Sequence, residues 1–183
     1  MTIVNGEVNQ LFMNHRSIDV EEYYRIIYAK TASLFETTTQ AAAVISGVSE
    51  HQIELMRKFG YELGMAFQIV DDILDYTGSE TTIGKPVGGD LRQGLITLPM
   101  LYYMQSHPDD PAVQRLAAGN YIENDDDIQR LLLAIPKSDA IRKAQKDAEG
   151  FARRAETYML NFPDKPERNE LVDMTRYIIE RKK

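Results

Sequence analysis

The sequence contains no cysteine and only three histidines, His15, His51 and His107. Without cysteine the chain can form no disulfide, bind no metal through thiolates and use no thiol nucleophile. The histidines are scattered and do not have the spacing of a zinc site. No run of 18 apolar residues occurs either, so no transmembrane helix is expected.

Positive charge is also scarce, because 21 lysines and arginines face 28 aspartates and glutamates, which gives a net charge of −7. This balance argues against nonspecific binding of nucleic acid. A hydrophobic fraction of 43% in 183 residues is ordinary for a globular protein with one core. With no charged-then-apolar leader, we expect a single domain over residues 1–183 in the cytoplasm.

Helical periodicity dominates the sequence from residue 19 onward. A capping pattern at Asp19 begins a helix that runs to about Ser46, and a capping box at Ser49 begins another that runs to about Tyr76. Long helices without a strand pattern between them predict an all-α fold, an antiparallel helical bundle.

The second of these helices contains two glycines one turn apart, Gly60 and Gly64. A missing side chain on one face lets a neighbouring helix approach closely, although glycine also weakens a helix. The pattern thus indicates either a face where another helix packs closely or two positions that only weaken the helix.

Three aspartates stand in an apolar run at the end of the same helix. Gln68, Asp71, Asp72 and Asp75 are three, four or seven positions apart and therefore project from one side. Crowded carboxylates in an apolar setting repel one another unless a cation neutralises them, and hard oxygen ligands suit Mg²⁺ that shares a site with phosphates. A solvated acidic edge is the alternative; aspartates near a helix C-terminus oppose the helix dipole, which disfavours it.

The first helix carries one lysine on a mostly apolar stripe. The members of the stripe are Tyr23, Ile26, Ile27, Lys30, Leu34 and Thr38. On these grounds alone, Lys30 is a side chain that extends its charge to solvent.

Residues 79–94 form a polar, glycine-rich segment. Such a segment is usually a surface loop, but its place directly after the acidic helix end indicates a lid. Lys85 could fold over an anion and help to exclude water. The spacing of a nucleotide-binding P-loop is absent.

The motifs in this order resemble those of the trans-isoprenyl (polyprenyl) diphosphate synthases. They are YAKTASLF at 28–35, FQIVDDILDYTG at 67–78, IGKPVGGDLRQG at 83–94 and TLP at 97–99. The resemblance implies an isoprenoid-synthase bundle and condensation of isopentenyl diphosphate with an allylic diphosphate. It implies Mg²⁺ ligands Asp71, Asp72 and Asp75, diphosphate ligands Lys30 and Lys85, and substrate-positioning residues Thr31 and Gln68.

In this family a first aspartate motif lies on a facing helix, and no counterpart is found in the chain. We therefore expect a C-terminal portion that lacks the N-terminal helices of the bundle. Its exposed apolar face would favour self-association, as in a symmetric homodimer.

Other functions stay open. The chain could be a non-catalytic or regulatory subunit of a two-component synthase, or a class I terpene cyclase, although the second metal motif of a cyclase is absent. A plain acidic helical scaffold leaves GKPVGGDL unexplained. The acidic triplet 125–127 is interpreted as a helix start, and the basic end 181–183 as a solvated tail. For the basic end the resemblance implies an alternative, since the C-terminus of relatives can reach the mouth of the active site.

Overall fold

The computed structural model describes residues 19–78, 87–120, 122 and 124–181. Every regular element in these ranges is helical, which confirms the predicted all-α class. The elements are α1 (Val20–Ile27), a π-helical segment (Tyr28–Ala32), α2 (Ser33–Ile45), α3 (Glu50–Thr77), α4 (Gly89–Arg92), α5 (Leu98–Ser106), α6 (Pro111–Ala117), α7 (Asp125–Ala134), a 3₁₀ turn (Ile135–Lys137), α8 (Ala140–Met159) and α9 (Pro166–Glu180).

The long helix α3 is the centre of the bundle and packs against α2 on one side and α8 on the other. Lys58 lies over the ring of Tyr158, whereas Glu62, further along α3, pairs with the earlier residue Arg154. The order of these contacts shows that α8 runs antiparallel to α3. The helical hairpin between α2 and α3 is antiparallel as well, because Thr39 lies beside Gly60 and Phe35 lies beside Phe67.

Both predicted helix starts are confirmed. The side chain of Asp19 accepts a hydrogen bond from the backbone N–H of Glu22 at 2.8 Å. Ser49 and Gln52 form a reciprocal capping box at the start of α3. These bonds satisfy amide groups that have no partner inside the helix.

The π-helical segment was not predicted, and it explains why the predicted apolar stripe is wrong beyond Lys30. A wide π turn contains an extra residue and rotates everything after it relative to α1. Tyr23 and Ile27 are buried as expected, but Leu34 is 55% exposed. Ala32 and Ser33 are buried instead.

Close packing, one of the two interpretations of the glycines of α3, is confirmed. A methyl group at Gly64 would lie 2.6 Å from the Cα of Ala32, and one at Gly60 would lie 2.5 Å from the carbonyl oxygen of Phe35. Both contacts involve backbone atoms, which cannot rotate away as a side chain can. The glycines therefore bring α3 close to the π-helical segment and to α2.

Gly64→Ala is expected to lower the free energy of unfolding by about 1–3 kcal/mol, because the added methyl group pushes the π-helical segment away from α3. Gly150→Ala is the matched control, since its new methyl group would have only an arginine terminus 3.5 Å away. That control should be neutral or stabilising by up to about 1 kcal/mol. Urea unfolding of both variants measures the difference. Equal stability of the two would contradict the packing argument.

Apolar side chains form two core clusters. The first joins α1, α3, α8 and α9 and contains Phe59, Met65, Ile69 and Met159. The second lies where the end of α3 meets α5, α6 and α7, and contains Met100 and Leu131 among others. The acidic end of α3 is thus held between two packed regions.

The remaining elements differ in part from their predictions. Residues 89–92 of the predicted loop form the short helix α4. The acidic triplet is the first turn of α7, as predicted, and the side chain of Asn124 caps it through the amide of Asp126 at 3.0 Å.

No helix among the described residues is both long and apolar enough to cross a membrane.

Candidate functional site

A buried hydrogen-bond network surrounds Asp72 near the end of α3. The hydroxyl of Tyr23 donates to Oδ2 of Asp72 at 2.7 Å, and Nε2 of Gln68 donates to Oδ1 at 2.8 Å. The hydroxyl of Thr31 donates to Oε1 of Gln68 at 2.6 Å. Asp72 is only 4% exposed. The network therefore joins α1, the π-helical segment and α3 through one carboxylate.

The electrostatic surroundings of this carboxylate favour its neutral form. Burial, and then the negative charge of Asp90, raises the pKa of Asp72 to about 7. The hydrogen bonds from Tyr23 and Gln68 and the charge of Lys30 act in the opposite direction but are weaker. Burial of the ionised carboxylate and the nearby charge of Asp90 are therefore the costs that a bound cation would offset.

The π-helical segment supplies the two polar residues that the sequence predicted on the first helix. Lys30 and Thr31 lie in the middle of its five residues. Single π turns are rare inside helices and occur mostly at functional sites. Here the wide turn and the absent side chain of Gly64 bring Thr31 into contact with Gln68 while Lys30 stays close enough to affect Asp72.

Asp75 binds the backbone of the segment that follows the acidic helix end. Its two carboxylate oxygens accept hydrogen bonds from the amides of Gly89 and Asp90, both at 3.1 Å. Its carbonyl oxygen also accepts from Gly88, whose φ of 77° is in the left-handed region that favours glycine. The first turn of α4 is therefore fixed to the last turns of α3, and Asp90 is held beside Asp72.

The carboxylate of Asp71 contacts a different residue, Arg181, which follows the last helix. Nη2 of Arg181 donates to its carboxylate at 3.1 Å, and the guanidinium lies over the ring of Phe67 at 4.7 Å. The Arg181 side chain is only 17% exposed. The prediction that the basic end is a solvated tail is wrong for Arg181, because stacking and ion pairing offset its loss of hydration; residues 182 and 183 lie outside the described residues.

The residues fit a divalent cation that is bound together with a phosphate ligand. No three acidic, histidine or cysteine side chains in the described ranges come close enough to form a metal cage by themselves. Magnesium, however, commonly binds through one or two carboxylates and completes its shell with water and substrate phosphates. The oxygen donors of Asp71, Asp72 and Asp75 suit that mode, and a cation would offset the cost of the buried Asp72 carboxylate.

Of the predicted residues, Lys30, Thr31, Gln68 and Asp72 are brought together, whereas Asp71 and Asp75 contact separate partners on either side. Lys85 lies outside the described residues. Sequence reasoning missed three further participants.

The missed participants are Tyr23, Asp90 and Arg181. For Tyr23 a signal existed, since a tyrosine on a buried stripe needs a partner for its hydroxyl. Nothing in the local pattern around Asp90 or Arg181 indicated which aspartate each would approach, because both contacts depend on tertiary packing.

Comparison with known proteins identifies the family. The model of the polyprenyl synthetase family matches residues 1–135. The chain is 35% identical to heptaprenyl diphosphate synthase component 2 of Bacillus subtilis over 97% of its own length and 50% of that protein. It is 32% identical to the octaprenyl diphosphate synthase of Escherichia coli over 98% of its length and 56% of that protein. The chain belongs to the polyprenyl synthetase family.

Solved structures confirm the isoprenoid-synthase type of bundle. The heptaprenyl diphosphate synthase of Staphylococcus aureus superposes with a TM-score of 0.93 at 29% identity, covering 100% of this chain and 57% of that one. A polyprenyl synthase of Caulobacter crescentus, complexed with calcium and isoprenyl diphosphate, gives 0.89 at 34% identity, covering 100% and 56%. The chain thus spans about half the length of the relatives it matches.

Proposed function

We propose that the chain carries the metal- and diphosphate-binding part of a Mg²⁺-dependent prenyltransferase. The reaction would join isopentenyl diphosphate to an allylic diphosphate, giving a longer polyprenyl diphosphate, inorganic diphosphate and a proton. The observation that carries this proposal is the buried carboxylate of Asp72, whose pKa is raised by burial and by Asp90 and which is linked to Thr31 through Gln68. A structural scaffold has no need for such a costly group.

The residues would divide the work by charge and position. Lys30 would bind oxygens of the departing diphosphate, and Lys85 would do the same by resemblance to the family. Thr31 and Gln68 would position the allylic substrate near the developing carbocation. The C–O bond of that substrate breaks, and the double bond of isopentenyl diphosphate attacks the carbocation. Asp71, Asp72 and Asp75 would hold Mg²⁺, which supplies neutralisation of the diphosphate charge when bound.

The test is incorporation of labelled isopentenyl diphosphate into prenyl product with farnesyl diphosphate and Mg²⁺. The chain is assayed alone and together with a polypeptide that carries the remaining half of a relative such as the octaprenyl diphosphate synthase. We expect activity in at least one of the two assays, and its loss in a Lys30→Ala chain. Absence of activity in both would refute catalysis.

A second candidate is a subunit without catalytic activity in a two-component synthase. It is favoured by one relative, which is called component 2 of a heptaprenyl diphosphate synthase. In that case the chain would change the product of an active partner, while Lys30→Ala would leave the effect unchanged. The Lys30→Ala variant in the combined assay therefore separates the two functions.

We also propose that the chain associates with a second copy. The outer face of α2 exposes Leu34 (55%), Val44 (55%) and Ile45 (87%), and helices in soluble proteins seldom leave several such residues on one face. The double substitution Leu34→Glu, Ile45→Glu is expected to shift a dimer to monomer in multi-angle light scattering. Leu160→Glu, at a site 58% exposed in the turn directly after α8, is the control. A wild-type chain that is monomeric at all concentrations would contradict the proposal.

A further inference from the structure

Asp72 is oriented by a residue outside the sequence motifs that identify the family. Tyr23 lies on α1, seven positions before Lys30, and is 2% exposed. Its hydroxyl donates to Oδ2 of Asp72, while Gln68 donates to Oδ1. One hydrogen bond to each oxygen fixes both the position and the plane of the carboxylate.

The hydrogen bonds from Tyr23 and Gln68 each use one acceptor direction of Asp72, so the remaining lone pairs of its oxygens point in a defined direction. A carboxylate offers about two acceptor directions at each oxygen. Donors that orient a metal-binding carboxylate from behind typically change metal affinity by about 10–100-fold. We propose that Tyr23 is a positioning residue, which holds Asp72 so that its remaining lone pairs face a divalent cation bound together with diphosphate. This inference rests on the function proposed above.

The hydroxyl rather than the ring of Tyr23 carries this role. The ring packs in the first core cluster and lies 5.7 Å from the ring of Tyr24, so a phenylalanine would fill nearly the same space. The hydroxyl lies 2.7 Å from Oδ2 of Asp72, and it is the donor because an ionised carboxylate can only accept.

The chain contains a matched tyrosine–aspartate pair away from the site. Tyr103 is 3% exposed, and its hydroxyl donates to Asp110 at 3.2 Å. Asp110 is held independently by two hydrogen bonds from Arg130, at 2.6 and 2.7 Å. Loss of the Tyr103 hydroxyl removes the same chemical group from a buried setting without disturbing Asp72.

The experiment titrates the 183-residue chain with Mn²⁺ in the presence of inorganic pyrophosphate and follows free and bound Mn²⁺ by electron paramagnetic resonance. Tyr23→Phe is expected to weaken Mn²⁺ binding by about 10-fold. Tyr103→Phe should stay within about twofold of the wild type, because a loss of stability alone does not reorient a metal ligand. Circular dichroism and thermal midpoints confirm that both variants are folded.

Two further variants separate hydrogen bonding from shape. p-Aminophenylalanine at position 23 keeps a donor at the same place and should restore wild-type binding. p-Methylphenylalanine fills the volume without a donor and should bind as weakly as Tyr23→Phe, which it replaces if the phenylalanine variant does not fold.

Two results would overturn the proposal in different ways. If the wild type binds Mn²⁺ with pyrophosphate and the variants without a donor bind equally well, Tyr23 has no positioning role, although the proposed function stands. If the wild type does not bind Mn²⁺ even with pyrophosphate, the proposed function fails and the positioning role fails with it.

Discussion

Asp71→Ala is expected to lower the Mg²⁺-dependent incorporation of isopentenyl diphosphate by about 10²-fold or more, in whichever assay the unchanged chain is active. The Asp71 side chain is 43% exposed, and it already contacts a cationic group, Arg181. Its removal leaves one negative group fewer to hold a cation over the buried Asp72. The expected defect is therefore in catalysis rather than in folding.

The control for this variant is Asp126→Ala. Asp126 belongs to the acidic triplet at the start of α7, where the neighbouring residues Asp125 and Asp127 pair with Arg92 and Arg115. Both variants should unfold within about 1 kcal/mol of the wild type, since partly exposed ion pairs contribute little. An Asp71→Ala chain with full activity, or an equal loss in Asp126→Ala, would contradict the assignment of the site.

Asp72→Asn is expected to stabilise the metal-free protein at pH 8 while it impairs metal binding. The pKa of Asp72 is raised from its ordinary value of 3.8 to about 7 in the folded protein, first by burial and then by Asp90. Each pKa unit corresponds to about 1.4 kcal/mol, so the ionised carboxylate costs roughly 2–4 kcal/mol above pH 7. Asparagine keeps the shape and removes the charge; its oxygen can still accept from Gln68, and its amide nitrogen can donate to the hydroxyl oxygen of Tyr23.

The sign of the pH dependence follows from the direction of this pKa shift. Below pH 3.8 the carboxyl is neutral in both states, so its favourable contribution is fully present there. As the pH rises through 3.8, the unfolded chain releases its proton first, and stability falls until the folded carboxyl ionises near pH 7. Asp72→Asn should therefore gain most over the wild type at pH 8 and little near pH 4.

Urea unfolding in the presence of EDTA at both pH values measures this difference. Asp110→Asn is the control with the opposite sign, because the hydrogen bonds from Arg130 lower the pKa of Asp110 to about 2. That variant should be less stable than the wild type at pH 8. A destabilised Asp72→Asn protein at pH 8 would contradict the cost assigned to the ionised carboxylate of Asp72.

Much of the bundle could be predicted because its signals are local. The capping residues Asp19 and Ser49 mark helix starts through bonds to amides three positions away, and the structure forms both. The polar cluster at the end of α3 was also visible, since Gln68 and Asp72 are one turn apart on any α-helix. These features require no knowledge of distant contacts.

The rest depends on packing that the linear sequence does not encode in an obvious way. The π-helical segment changes the phase of α2, so an α-helical pattern placed Leu34 on the buried side. The contact between Arg181 and Asp71 joins residues 110 positions apart, and no local pattern specifies it. Similarly, the sequence pattern places Tyr23 on the apolar stripe, and nothing in that pattern specifies that its hydroxyl donates to Asp72.

The backbone amides of Gly78 and Gly88 are both anchored to the last turns of α3. The amide of Gly78 bonds to the carbonyl of Leu74, and that of Gly88 bonds to the carbonyl of Asp75, both at 2.9 Å, so the chain leaves and rejoins α3 at the same turn. The end of α3 and the start of α4 are therefore fixed to one another through the backbone itself, so a displacement of the last turn of α3 would carry residues 88–90 with it.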